Sequence, residues 1–472
     1  MQEAAHGSLL RSSRQQLHAQ IAEALETDSP ELMDSQPELF AQHYAEAGLA
    51  EKSVACWGNA GHRSAARSAM AEAAAQFQKG LDQLALLPDA PARQRQELEF
   101  CSALGPVLQA LKGLAAPETG HAYARARELW EQLGAPSEFL QVAFGQSAYH
   151  MNRGEFDLAQ RLGEELLRLS RQRNDSVGLF LGHQSLGRTL MCTGRLASSR
   201  THLEEALALW DLNSDQSFVR RAGVYPRIAS QAFLAIVLFC LGFPDQALAW
   251  SSAAIAEARR LAHPPSLAVS LSIGTRLLWL VGDNVALAER ADELAALARR
   301  AHGTIYPGWF KIKNGDVTDG MSLVRSGTTA YRATGAEGAF MHYHIALLAK
   351  ACEIAGQIDE SLTLLDDALQ TVERTGEGWL AAELHRHKGQ VLLRRGQSEA
   401  AEELYRKALS IAEEQEAKLW KLRAAVSLAR LRRDQGSRIE ARELLAPVYG
   451  WFTEGFGTPD LKEAKALLHE LA

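Results

Sequence analysis

The chain has 472 residues, a formal net charge of −7 from 50 Lys and Arg against 57 Asp and Glu, and 47% hydrophobic residues. That length suits about three ordinary domains. The composition excludes a disordered chain, and the mixed, mildly acidic charge leaves no footprint for nucleic acid or an anionic membrane surface. Alanine stands out with 78 copies, and there are only 14 prolines. Ala, Leu, Glu, Gln and Arg are good helix formers, so an all-α fold is expected.

The N-terminus, Met1 to His6, has no basic region followed by an apolar stretch, so no signal peptide is expected. Pro37 to Ala47, Ala50 to Arg67 and Ala71 to Leu87 read as helices, with Phe40, Tyr44, Ser53, Trp57 and Ala60 at helical offsets. Pro88-Asp-Ala-Pro91 is a break, and Gln94 to Leu111 with Thr119 to Leu133 reads as a hairpin. From residue 154 the chain repeats. Gly154, Gly194, Gly242, Gly282, Gly315, Gly356, Gly396 and Gly436 lie 40, 48, 40, 33, 41, 40 and 40 residues apart. Each glycine ends an apolar helix and precedes a second one. In the unit opened by Gly396, that second helix places Ala401, Tyr405, Ala408 and Leu409 on one face.

This is a tetratricopeptide-like pattern stretched to about 40 residues. The predicted fold is an α-α superhelix of about 9–11 hairpins whose neighbours bury one another's faces. Further breaks are expected at Asp211 to Arg227 and Ala262 to Pro265. In the unit before Gly315, Pro307-Gly308 is expected to interrupt a short, irregular first helix. Ala232 to Phe243 is too short to span a bilayer and reads as a buried helix. The predicted organisation is an opening segment 1–27, irregular hairpins 28–135, repeats 136–304, an atypical unit 305–334, repeats 335–448 and a cap 449–472.

Two segments are distinctive beyond the repeat: Gln2 to Leu25, and Leu445-Ala-Pro-Val-Tyr-Gly-Trp-Phe-Thr-Glu-Gly-Phe-Gly-Thr-Pro-Asp-Leu-Lys-Glu-Ala-Lys-Ala-Leu-Leu468. With Phe40-Ala-Gln-His-Tyr-Ala-Glu-Ala-Gly48 and Ala382-Glu-Leu-His-Arg-His-Lys-Gly389, they resemble the C-terminal tetratricopeptide region of bacterial multidomain signalling proteins. Those proteins join a class III adenylate or guanylate cyclase domain, an AAA-type ATPase and a helical tail. The resemblance implies a tail alone, with 1–27 the segment that follows the ATPase module. It also implies a cyclase or ATPase partner in cis or in trans, or a chain that is a fragment of such an enzyme.

The residues themselves carry no catalytic signature. Gly58-Asn-Ala-Gly61 is followed by His62 rather than Lys, so the phosphate-binding loop is missing. The pairs His342/His344 and His385/His387 lie two apart, on different faces of a helix, and cannot chelate one metal. Five widely spaced cysteines read as buried thiols in a reducing, cytoplasmic setting. No catalytic, cofactor or metal residues are assigned. A third reading, the sensing tail of a transcription regulator, lacks a helix-turn-helix.

One pattern points to a binding surface. In each hairpin the residue after the small crossing residue of the first helix faces the concave groove. This places Arg188, Arg276, Lys350 and Arg430 in one seam, with Trp279 and Tyr343 near it. Such a seam suits an acidic peptide, a carboxylate terminus or a phosphorylated ligand.

Overall fold

The computed structural model describes residues 11–113, 115–136, 139–210, 224–297, 304–333 and 339–472. Among them it holds 24 α-helices and no strand. The described residues divide into two compact units, one ending at residue 146 and one running from residue 147 to the C-terminus.

The first unit contains α1 (Arg11–Asp28), α2 (Glu31–Ser35), α3 (Pro37–Ala47), α4 (Ala50–Ala66), α5 (Met70–Leu84), α6 (Pro91–Lys112) and α7 (Pro117–Gln132). Prolines open α3, α6 and α7 at the first turn, where a missing N–H costs nothing. Phe40, Tyr44, Trp57 and Ala60 form one apolar cluster, and Val54, Phe77, Phe100 and Leu104 another. Gly61 is inside α4, where an added Cβ would lie 2.5 Å from the Phe77 ring. The Gly58 to Gly61 segment is therefore a helix–helix contact, made of glycine so that Phe77 can approach.

Helix α8 (Gln141–Asn152) runs across the boundary into the second unit. There follow α9 (Phe156–Arg173), α10 (Ser176–Cys192), α11 (Leu196–Leu209), α12 (Pro226–Leu241), α13 (Pro244–Arg260), α14 (Pro264–Val281) and α15 (Asn284–Leu297). The unit continues with α16 (Ile305–Lys313), α17 (Val317–Arg332), α18 (Met341–Ile354), α19 (Ile358–Thr375), α20 (Ala381–Arg394), α21 (Ser398–Glu414), α22 (Lys418–Asp434), α23 (Arg438–Gly450) and α24 (Pro459–Glu470). The break expected at 211–227 falls mostly outside the described residues.

All eight repeat glycines sit between the two helices of a hairpin, with φ from 76° at Gly356 to 95° at Gly242. At Gly356 the two helices are separated by three residues, and the turn needs a left-handed residue to release the chain. Where the helices cross, small residues keep the axes close. A Cβ on Gly187 would lie 2.6 Å from Leu203, and one on Gly389 would lie 2.7 Å from Tyr405.

The unit at 305–334 differs from the expectation in one respect. Pro307 does not interrupt α16, because it falls in the first helical turn, where its missing N–H has no intrahelical acceptor to lose. Gly308 is instead a contact point, its missing Cβ leaving room for the Gly320 carbonyl of α17.

Helix α12 is apolar on every side and almost wholly buried. It must be covered all round, and later hairpins of the same unit supply that cover. Trp420 of α22 meets Phe239 edge-on at 5.7 Å, and Trp379 donates its backbone N–H to the Cys192 carbonyl at 3.2 Å. Arg423 of α22 donates to the Leu280 carbonyl at the end of α14. Glu454 caps α13 by accepting from the Asp245 and Gln246 N–H groups at 3.0 and 3.1 Å. Helix α14 is the one described helix long and apolar enough to cross a membrane, and 61% of that span is buried in the stack.

Candidate functional site

The six seam residues all lie on the first helices of their hairpins, but in two environments. Arg276, on α14, is 3% exposed, and its guanidinium lies 3.8 Å above the Phe340 ring and 5.1 Å from that of Tyr343. Tyr343, on α18, is fully buried; its hydroxyl pairs with that of Tyr306 at 3.1 Å, and burial pushes its phenol well up. Trp279 is half-buried, edge-on to Trp309 at 5.9 Å and to Tyr343 at 5.3 Å. Arg188, on α10, lies 4.9 Å over the Phe233 ring, and burial draws its guanidinium down to about 10.

Arg188 and Arg276 share their interior surroundings with Glu377, which is wholly buried, and Tyr343 and Trp279 pack beside Arg276. Glu377 accepts from the Phe340 N–H at 2.7 Å and pairs with His342 Nδ1 at 2.8 Å. Burial pushes the neighbouring Cys192 thiol up; Glu377 adds to this, while Arg188 and Arg276 oppose it. The cluster fixes α10, α12, α14, α16 and α18 against one another. Cations over aromatic faces and a hydrogen-bonded carboxylate make its burial tolerable. Phe340 covers Arg276 and Trp379 stacks on Tyr343, which is why neither is open to a ligand.

Lys350 and Arg430 lie elsewhere, at the surface. Lys350 borders a cleft of about 240 Å³ formed with Arg386, Gln390, Arg423, Ser427 and Asp460. Helices α18, α20, α22 and the start of α24 supply these side chains. Arg423 bonds Asp460 through two nitrogens, both at 2.8 Å, and reaches Glu383 at 3.2 Å. Burial alone would draw its guanidinium down, but Asp460 and Glu383 outweigh it and hold it up. Arg386 grips Glu383 at 2.6 and 2.7 Å and touches Ser427 at 3.4 Å. Lys350 meets Glu353 at 2.8 Å, and Arg430 pairs with Glu463. Each cation of this cleft thus has an acidic partner from the chain. The cleft is polar and charge-balanced, with Gln390 and Ser427 between the ion pairs.

The histidine pairs are likewise structural. His342 and His344 are buried, and His387 pairs with Glu353 through Nε2 at 2.8 Å. Burial, with Lys407 and Lys388 nearby, lowers His385 to about 4. A different set escaped the sequence reading: His183, His202 and Glu205 converge in the α10–α11 hairpin. Only His202-x-x-Glu205, one turn apart on a helix, was a local sign of it.

Known proteins place this architecture. A tetratricopeptide repeat family model matches residues 340–414, which cover α18 to α21. A Rap protein crystallised with competence and sporulation factor superposes over 77% of this chain and 99% of its own, with a TM-score of 0.54 and 13% identity. The chain folds as a tetratricopeptide-like helical solenoid. The yeast Tom70 structure aligns over 96% of both chains with 12% identity and a TM-score of 0.34. An uncharacterized protein of Rhizobium meliloti (strain 1021) is 25% identical over 443 residues, 91% of this chain and 43% of that protein. The chain therefore spans less than half the length of that relative.

Proposed function

We propose that this chain is a non-catalytic interaction module, and that the cleft between α18, α20, α22 and α24 seats a peptide segment of a protein partner. The observation that carries the reading is the cleft itself. Lys350, Arg386, Gln390 and Ser427 present polar groups around an opening of about 240 Å³ on the first-helix side of the stack. Donors (Lys350, Arg386, Arg423), acceptors (Asp460, Glu463) and the dual groups of Gln390 and Ser427 line it together, which suits a peptide backbone and mixed side chains better than a purely acidic ligand. The solved Rap protein, of like fold, was crystallised with competence and sporulation factor. Scaffolding by stacked hairpins needs no catalytic group, and the ion pairs of the cleft are committed to one another.

On this reading the partner is a signalling ATPase or cyclase module, in cis or in trans, which is what the resemblance to cyclase–ATPase tails implies. The five cysteines are free and buried, as suits a reducing cytoplasm.

The test is selection of binders from a displayed peptide library with the purified chain. Lys350→Glu and Gln390→Trp should each weaken selected peptides at least tenfold while helical content is kept. Selected peptides that bind both variants as well as the parent would refute this seat.

A further inference from the structure

The α10–α11 hairpin carries a cluster remote in sequence from that cleft. His183 projects from α10; His202 and Glu205 stand one turn apart on α11. His183 Nδ1 lies 3.0 Å from His202 Nδ1 and 2.7 Å from a Glu205 carboxylate oxygen. One donor atom from each residue falls within 4.8 Å of the other two. We propose that His183, His202 and Glu205 bind a divalent transition-metal ion of the zinc class and so clip the two helices of this hairpin together.

Two facing Nδ1 atoms can share one proton, since two N–H groups aimed at each other would clash. The carboxylate adds a third electron-pair donor aimed at His183 Nδ1. One proton on His183 Nδ1 can bridge these two contacts, but it makes no link between His202 and Glu205, whose donor atoms lie within 4.8 Å of each other. A cation at their centre serves all three.

The donor set selects the metal class. Two imidazoles and one carboxylate suit zinc and its transition-metal neighbours, whereas calcium and magnesium need mostly oxygen. In a tetrahedral zinc site with bonds of about 2.0–2.1 Å, donors sit roughly 3.3 Å apart. The present spacings of 3.0 and 2.7 Å need only a small opening. Glu205 can supply it, because its side chain is 52% exposed while that of His183 is 9% exposed. Two charges of α9 act on the same cluster: Arg171 opposes a cation and Glu164 favours it. Three protein ligands leave a fourth position for water or for a donor from a partner.

Titration of the full chain with zinc chloride by calorimetry tests this, with visible absorption of added cobalt chloride reporting tetrahedral coordination. One equivalent should bind. His202→Gln and Glu205→Gln should each weaken binding at least tenfold, whereas His121→Gln, at an exposed position, should leave it unchanged. Zinc should also slow hydrogen exchange in α10 and α11 of the parent but not of His202→Gln. Both decisive variants alter the outer side of the cluster, so the result does not hang on whether a substitution at buried His183 folds. Absence of binding at micromolar zinc, or equal affinity in the parent and both decisive variants, overturns the proposal.

Discussion

Ala401→Glu and Glu403→Ala, two residues apart on α21, should differ sharply in stability. Ala401 is fully buried where α21 crosses α20, beside Tyr405, whereas Glu403 is exposed. The crossing has no spare volume. A Cβ added to Gly389 on the facing helix would already lie 2.7 Å from Tyr405 and 3.2 Å from the Ala401 carbonyl. A glutamate at 401 must be neutral or force the hairpin apart. Neutrality at pH 7 costs about 1.36 × (7 − 4.3), or ~3.7 kcal/mol, and overpacking adds ~1–3 kcal/mol. Partial opening relieves some of this, so ~3 kcal/mol or more is expected. Glu403→Ala should stay within ~0.5 kcal/mol. Urea denaturation measures both, and hydrogen exchange locates the damage. Coupling between stacked repeats should extend the loss of protection from α20 and α21 to α19 and α22. If both variants unfold at the same urea concentration with equal protection, the repeat register is wrong.

Acid should destabilise the second unit in two steps. Burial pushes the Glu353 carboxyl up, but hydrogen bonds from His387 and Lys350 outweigh it and hold it at about 2; against its own burial, Glu383 is held at about 2 by Arg386 and Arg423. Carboxylates depressed in the fold stabilise it above their ordinary value near 4.5 and lose that contribution as pH falls toward 2. His385, lowered to about 4 by burial first, adds an earlier loss between pH 6.5 and 4 because only the unfolded chain takes up its proton there. Melting temperature against pH checks this, and Glu353→Gln should flatten the lower limb. Trp379→Ala, which empties a fully buried site between α10 and α22, should cost ~3–5 kcal/mol by urea denaturation. Gly356→Ala should cost about 1 kcal/mol in the same assay, from the strain of φ 76° alone, because open space surrounds that position.

The hairpins were legible because their determinants are local. A left-handed turn residue is needed at each Gly, and a small residue is needed twelve or so positions from its partner across the crossing. The interior of the second unit was not legible in the same way. Arg276 and Tyr343 follow the repeat pattern as groove residues, yet Phe340 and Trp379 close over them. That closure depends on contacts such as Arg423 to the Leu280 carbonyl, 143 residues away in sequence, which no short-range spacing encodes. The histidine–glutamate cluster was hidden for a related reason. Its ligands are split between two helices, 19 residues apart for the imidazoles, so only the hairpin brings them together.

The crossing itself explains which substitutions the repeat tolerates. Ser53, Ser199 and Ser361 occupy the position that is alanine at 401. Each donates its hydroxyl to a carbonyl twelve residues earlier, those of Ala41, Gly187 and Ala349, at 2.8, 2.6 and 2.9 Å. Serine adds one oxygen to the alanine side chain, and the facing helix supplies an acceptor for it, so the buried hydroxyl is satisfied. Serine and alanine therefore interchange among units without opening the hairpin. A carboxylate is too large for that crossing, where a Cβ added at Gly389 would already lie 3.2 Å from the Ala401 carbonyl and 2.7 Å from the Tyr405 ring. The same geometry that admits serine at three units excludes glutamate at the fourth.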